Sequence, residues 1–251
     1  FVILLGPPIA LAVAFGFWYV LNRQALRGRT VEVSGVRQIP AAEIEAAVRA
    51  VIDGSILGLI PRDSVLLVSA EAVEHALRER FPAIEAVNVG RRLPNRLTVA
   101  VGERSLWGIY CADPAAGAAA RACAFLDRRG TAYEVLADAR GWLLPVVFGT
   151  VPPKPGEPAV TPQLLELFAA ADLALGAIGA DAIAVAVASS TPADVRIRLA
   201  EGWELFVEAE RRPDEWLEIL SALLEREVGA RRRELQYVDL RFGAKVFYKF
   251  K

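Results

Sequence analysis

The sequence has few of the residues that most often carry catalysis or bind metals. Among its 251 residues there is one histidine, His75, and there are two cysteines, Cys111 and Cys123. A zinc site needs about four cysteine, histidine or carboxylate ligands at suitable spacing, and the sequence does not offer them. His75 lies two positions after Val73, away from the apolar stripe of its predicted helix, so we expect it to face solvent.

Motifs that mark common active sites are also missing. The sequence has no Gly-x-Ser-x-Gly elbow to expose a nucleophile and no glycine-rich loop to bind phosphate. The carboxylate pairs Glu43/Glu45 and Glu225/Glu227 are two residues apart on predicted helices and do not face each other. The net charge of -1 gives no general field for nucleic acid. We predict a protein that is not an enzyme, holds no cofactor or metal, and binds neither nucleic acid nor a small-molecule substrate.

Charged residues are absent from the first part of the chain, Phe1 to Leu21, which is apolar. A run of about 20 such residues matches the hydrocarbon core of a bilayer. Aromatic and then basic residues lie at its end, as at a membrane interface. We predict a single transmembrane helix over residues 1–22 and a linker over residues 23–29. The alternative is a cleaved signal peptide, because Ala10-Leu11-Ala12 resembles a cleavage site.

Residues 30–104 have the pattern of one small module. Thr30–Ser34 alternates as a strand does, and two amphipathic helical patterns follow, the second stopped by Pro82. Phe81–Arg104 then alternates on both sides of Pro94-Asn95, which predicts a β-hairpin. The predicted order is β-α-α-β-β.

Residues 105–251 predict a second α/β domain with a mostly antiparallel sheet. Alternating segments lie around two predicted helices, one beginning at Thr161-Pro162 and one at Pro213. The last strands cover Tyr237 to Phe250. The predicted fold class is therefore α+β, with a transmembrane helix, a β-α-α-β-β module and this second domain.

Several segments resemble one bacterial family. They are VEVSGV in the first strand, LRERFP before the hairpin, RRLPNRLTVAVGER through it and YVDLRF near the C-terminus. These are similar to segments of the FtsQ/DivIB cell-division proteins, although Phe242 stands where the family pattern has tyrosine. The resemblance implies that residues 30–104 are a POTRA domain and residues 105–251 the family's C-terminal β domain.

The resemblance also implies a function and a location. The expected protein is a membrane-anchored scaffold of the divisome, single-pass in the inner membrane at the septum, with most of the chain outside the cytoplasm. Its expected partners are the bitopic coiled-coil proteins FtsB (DivIC) and FtsL, through which it helps control septal cell-wall synthesis. One alternative is a POTRA-type chaperone or translocation component, for which repeated POTRA units are expected. Another is a membrane-anchored hydrolase, but the sequence lacks a recognisable set of catalytic residues for it.

The final two strands are the predicted partner-binding surface. A strand at the end of the chain is expected at a sheet edge, where unpaired backbone groups can bind an incoming strand. The family is understood to bind FtsB by such strand addition. Lysines on the edge can equally serve only to protect it. The predicted contact residues are Tyr237, Asp239, Arg241, Lys245, Phe247, Tyr248 and Lys249.

Cys111 and Cys123 are predicted to form a disulfide. They are the only cysteines, they flank an insert between two strand-like segments, and the expected compartment can be oxidising. The bond would close a loop of about 13 residues. Two buried free thiols are the alternative.

Overall fold

The computed structural model describes residues 12–13, 15–16, 18–19, 30–56, 60–112, 121–137, 144–187 and 194–251. The chain divides into two compact units, Phe1–Arg104 and Ser105–Lys251. Each unit has a hydrophobic core of its own.

The predicted transmembrane helix is the part of the fold class that the structure contradicts. Six residues of that segment are described as helical and exposed: Ala12, Val13, Phe15, Gly16, Trp18 and Tyr19. The other residues of the predicted helix, and the predicted linker, lie outside the described residues. A crossing needs about 20 residues of continuous apolar helix. Within the part of the chain that the structure describes, no helix reaches the length and hydrophobicity required. The mixed α+β architecture remains.

The first unit is a three-stranded sheet packed against two helices. Its elements are β1 (Thr30–Ser34), α1 (Ala41–Ile52), the short strands β2 (Ser55–Ile56) and β3 (Ile60–Pro61), α2 (Ala70–Arg80), β4 (Ile84–Arg92) and β5 (Arg96–Glu103). The sheet order is β1-β5-β4. Strand β1 runs parallel to β5, and β4 runs antiparallel to it.

Helical and strand periodicities bring one apolar core together in this unit. The hydroxyl of Ser69 starts α2 by accepting a hydrogen bond from the Ala72 amide at 3.2 Å. Buried side chains recur every three or four residues along the helices and every second residue along β5. They include Ile44, Val48, Ile52, Val73, Leu77, Leu97, Val99 and Val101. The predicted β-α-α-β-β order is the observed order of the main elements.

The carboxylate of Glu103 holds the loop between β1 and α1. It accepts hydrogen bonds from the backbone amides of Arg37, Gln38 and Ile39, at distances of 2.8 to 3.1 Å. Burial opposes ionisation of Glu103, but these amides and the charge of Arg37 outweigh it and keep the pKa of Glu103 below its ordinary value. The loop is therefore tied to the end of β5.

The second unit is a nine-stranded mixed sheet with two longer helices. Its elements are β6 (Leu106–Ala112), β7 (Ala122–Asp127), β8 (Ala132–Leu136), β9 (Val146–Gly149), α3 (Pro162–Gly176), β10 (Ala182–Val187), β11 (Asp194–Leu199), β12 (Glu204–Glu208), α4 (Pro213–Leu223), β13 (Leu235–Phe242) and β14 (Lys245–Phe250). A π-helical turn, Leu224–Val228, and a 3-10 turn, Gly229–Glu234, join α4 to β13. The sheet order is β14-β13-β12-β11-β10-β9-β6-β7-β8.

The sheet of this unit is mostly but not wholly antiparallel. Five neighbouring pairs are antiparallel and three are parallel: β9 with β10, β6 with β9, and β12 with β13. Trp203 and Trp216 are fully buried in the core with the inward faces of α3 and α4. Cys111 and Cys123 face each other across β6 and β7, and their sulfurs are bonded at 2.07 Å. The insert that they flank lies outside the described residues.

Candidate partner-binding site

Strand β14 is an open edge of the nine-stranded sheet. Within the described chain it pairs with β13 alone. The opposite edge, β8, is partly covered, because the Ala132 amide donates to the Glu157 carbonyl at 3.1 Å and the Ala132 carbonyl accepts from the Gly156 amide at 2.7 Å. Unpaired backbone groups along a strand are a template for another strand. Of the two edges, β14 therefore offers the longer template.

Backbone amides along β14 alternate between β13 and the open side. The amide of Lys251, just after the strand, donates to the Glu234 carbonyl at 2.8 Å, on the β13 side. Because amide directions alternate along an extended strand, those of Val246, Tyr248 and Phe250 face the open side. An added strand would pair with these three residues, with Tyr248 at the centre.

One face of β14 continues the face of β13 that carries the polar residues of the predicted site. Lys249 pairs with Tyr237, and Phe247 pairs with Asp239. Lys245 shares this face by alternation. The Phe247 side chain is half exposed, at 50%. This face therefore presents two cations and an aromatic ring beside the open edge.

Tyr248 lies on the other face of β14. It pairs with the buried residue Val238, and its ring meets that of Phe250 edge-on at 5.7 Å. Its side chain is nevertheless 38% exposed, because nothing among the described residues covers the edge on that side. The predicted contact residues on β14 thus belong to two faces of one strand, which a partner strand could contact together.

Asp239 and Arg241 of the predicted set bind each other. The Arg241 guanidinium donates to the two carboxylate oxygens of Asp239 at 2.9 and 2.6 Å, and it also binds Asp194 of β11. Burial opposes ionisation of Asp239, but Arg241 outweighs it and holds the pKa of Asp239 below its ordinary value. The bond to Asp239 likewise raises the pKa of Arg241. The bond from Arg241 to Asp194 joins β13 to β11.

A cross-strand row of side chains supports the same face. Arg196, Phe206, Asp239 and Phe247 lie in register across β11, β12, β13 and β14. The guanidinium carbons of Arg196 and Arg241 lie 5.3 and 5.1 Å from the centre of the Phe206 ring, within cation–π range. The prediction did not include Arg196 or Phe206. The alternation of apolar and other residues along β11 and β12 could have indicated that these two side chains lie on the outer face of the sheet.

Phe242 does not follow the simple alternation of β13. Simple alternation would place its side chain on the face of Val238 and Leu240, which is not the face of Tyr237. The pairing of β13 with β14 shifts between Asp239 and Phe242, and this irregularity brings the Phe242 ring to 5.3 Å from the Phe247 ring. A shallow depression of about 650 Å³ results. It is lined by Tyr237, Asp239, Phe242, Lys245 and Phe247.

Reactive chemistry is sparse in the described part of the chain. It contains no group of three or more histidine, cysteine, aspartate or glutamate side chains placed to hold a metal ion. His75 is 80% exposed and lies 3.7 Å from Glu79. A second cavity, of about 470 Å³, is lined mainly by apolar residues of β9, β10 and α3. Its Tyr110 hydroxyl donates to the Val151 carbonyl at 2.9 Å, and burial raises the pKa of Tyr110.

Comparison with known families identifies the first unit. Residues 26–104 match the family described as the POTRA domain, FtsQ-type. The match ends at Arg104, the last residue of the first compact unit. No curated protein sequence matches the chain. The β14 edge lies beyond the matched residues, so its assignment as the partner site stays a prediction.

Proposed function

Since the chain belongs to the FtsQ/DivIB family through its FtsQ-type POTRA domain, we propose that it is a non-enzymatic scaffold of the bacterial divisome. Membership implies a membrane-associated cell-division protein that acts through protein partners. In this proposal the chain links division proteins and helps control septal cell-wall synthesis by binding them. The FtsQ-type match at residues 26–104 is the observation that carries it.

Strand addition at β14 is the proposed way of binding. The partner is an FtsB/DivIC-like bitopic coiled-coil protein, and an FtsL-like protein joins through it. The outward amides of Val246, Tyr248 and Phe250 supply backbone hydrogen bonds. Lys245 and Lys249 favour an acidic partner segment, since complementary charge sets specificity and the rate of encounter more than affinity.

The proposed location of both units is outside the cytoplasm, at the division septum. Disulfides persist mainly in oxidising compartments and are rare in the cytosol. The bond between Cys111 and Cys123 is internal to the second unit and supports this location. Family membership supports the same compartment.

A POTRA-type chaperone or translocation component is the second candidate function. The open β14 edge favours it, because such an edge can also bind unfolded polypeptide. The described second unit, however, is a nine-stranded sheet and not a further copy of the β-α-α-β-β module. The two functions predict different ligands: one acidic division-protein segment for the scaffold, and many unrelated extended segments for the chaperone.

The test is a proline placed on the open side of β14. Tyr248→Pro removes the central outward amide and leaves the bonds to β13, which an edge strand tolerates. Residues 27–251 would be titrated with the FtsB/DivIC-like protein of the same genome. We expect the proline variant to bind at least about tenfold more weakly.

Tyr248→Ala is the matched control, because it removes the same side chain and keeps the amide. It should bind more tightly than Tyr248→Pro. Equal affinities for the two variants would contradict strand addition. Circular dichroism of both variants checks that the sheet is intact. Binding of unrelated unfolded proteins with similar affinity would favour the chaperone function instead.

A further inference from the structure

One end of the first unit carries exposed apolar and basic side chains that the proposed scaffold function does not use. The chain enters the unit at this end, because the Thr30 amide donates to the Asn95 carbonyl at 3.4 Å and Thr30 pairs with Arg96. Asn95 belongs to the turn between β4 and β5. We call this end, with the β4–β5 turn and residues 62–68, the entry pole.

The exposed leucines described in the first unit belong to the segments at the entry pole. Of the side chains described between residues 30 and 104, the large hydrophobic ones that are exposed are Leu66, Leu67 and Leu93, at 45%, 38% and 66%. The Arg91 guanidinium donates to the Val68 carbonyl at 2.6 Å and joins the β4–β5 turn to the residues before α2. Single exposed leucines are ordinary, but a cluster at one end marks an interaction surface.

Cations surround this leucine patch. Arg62, Arg91 and Arg92 are exposed there, while Arg96 forms an ion pair with Glu32. The acidic residues nearest in sequence are Asp53, Asp63 and Glu71. The sequence just before β1 adds further positive charge without a carboxylate: Arg23, Arg27 and Arg29. With these three counted, six arginines face three carboxylates outside the Arg96–Glu32 pair, so the charge balance is basic and fits a ligand that is both apolar and anionic.

The sequence that precedes the entry pole suggests which ligand this is. Phe1 to Leu21 contains no charged residue. The eight residues 22–29 that separate it from β1 can span at most about 28 Å. An uncharged apolar segment partitions into lipid. The short linker then keeps the entry pole close to the lipid surface, whatever the orientation of that segment.

We propose that the entry pole docks on the surface of an anionic lipid bilayer. The leucine patch enters the boundary between headgroups and acyl chains, and Arg62, Arg91 and Arg92 lie at the level of the lipid phosphates. The docking holds the first unit in one orientation on the membrane. It is separate from the β14 edge, so its failure would leave the scaffold function standing.

A fluorescent label at the entry pole tests the proposal in the full chain. Leu93→Cys would be labelled with an environment-sensitive dye; Cys111 and Cys123 are bonded and do not react. Glu79→Cys is the matched control, because it is exposed and lies near the far end of α2, about 15 Å along the helix axis. The protein is bound to phosphatidylcholine vesicles with or without phosphatidylglycerol, and a lipid-borne quencher reports proximity.

We expect quenching at position 93 to exceed that at position 79 by about twofold or more in the anionic vesicles. The apolar N-terminus is the same in both labelled proteins, so a difference in quenching reports how close the entry pole is to the lipid. Equal quenching at both positions overturns the proposal and leaves the patch to a protein partner. Adding Arg62→Glu and Arg92→Glu to the labelled Leu93→Cys chain should remove the difference. If the quenching difference persists in the charge-reversed chain, or is as large in vesicles without phosphatidylglycerol, docking does not require anionic lipid.

Discussion

At the scale of single residues, two carboxylates keep lowered pKa values by accepting hydrogen bonds within their own units. Glu103 accepts them from a backbone loop, and Asp239 accepts them from Arg241. In each case burial favours the neutral acid, and the donors outweigh burial. A carboxyl group whose pKa is lowered on folding stabilises the fold above its unfolded pKa. That contribution is lost as the pH falls through the folded pKa.

Asp239→Asn should destabilise the second unit by about 1 to 3 kcal/mol at neutral pH, because Arg241 loses one of its two carboxylate partners, and Asp239 is buried. The difference from the wild type should shrink below pH 4, roughly the unfolded carboxyl pKa, as the wild-type carboxylate becomes protonated. Urea denaturation at a series of pH values measures it. A constant difference down to strongly acidic pH would show that the charge of Asp239 is not what Arg241 needs.

Glu103→Gln should loosen the loop before α1, because a neutral amide oxygen cannot replace a carboxylate that binds three backbone amides. Hydrogen exchange at Arg37, Gln38 and Ile39 should become faster, by about tenfold or more. In the wild type the same protection should fall as the pH drops below the ordinary carboxyl range. Unchanged exchange in the variant would refute this role. Exchange in β13 serves as the internal control.

At the scale of elements, periodicity predicts what is local. Alternation around Pro94-Asn95 gave the β4–β5 hairpin, and Ser69 with its apolar stripe gave α2. Periodicity could not give the shift that turns Phe242 toward Phe247, because an irregular pair depends on the partner strand. It also could not say which amides of β14 face outward. That choice depends on pairing across the sheet.

For the candidate site too, the sequence predicted the local strands but not the contacts that depend on pairing across the sheet. The prediction placed it on the last two strands, and among the described residues β14 is an edge of the sheet, but its role as a partner site stays a prediction. The supporting residues Arg196 and Phe206 come from strands distant in sequence, and only the sheet order brings them to Asp239. The membrane-spanning helix was predicted from an apolar run and the aromatic and basic residues at its end, which indicate partitioning into lipid and not the presence of a continuous helix.

Breaking the β6–β7 cross-link should destabilise the second unit. Replacing Cys111 and Cys123 together by serine opens a loop of about 13 residues, worth roughly 3 kcal/mol in unfolded-chain entropy. Urea denaturation of the double variant against the wild type measures the loss. Alkylation of the folded wild type without reductant should add no alkyl group. Two added groups would show free thiols, and the double variant should then be almost as stable as the wild type.

At the scale of the whole molecule, each unit closes its own core. The cores share no residue, and the division falls between Arg104 and Ser105. We therefore expect residues 30–104 and residues 105–251 to fold when produced separately, because a domain with its own core folds alone. Each fragment should show a cooperative thermal transition, and circular dichroism during heating checks this. A fragment that stays unfolded would show that its stability depends on the other half.

The parallel pairing of β1 with β5 has a mechanical consequence. The chain enters the first unit at Thr30, the start of β1, and leaves it just after Glu103, the end of β5. Tension between the N-terminus and the second unit pulls these parallel strands in opposite directions along their length. The hydrogen bonds between them are then loaded in shear, so they must break together and cannot open one after another. Under such tension this strand pair would be a joint that resists stretching.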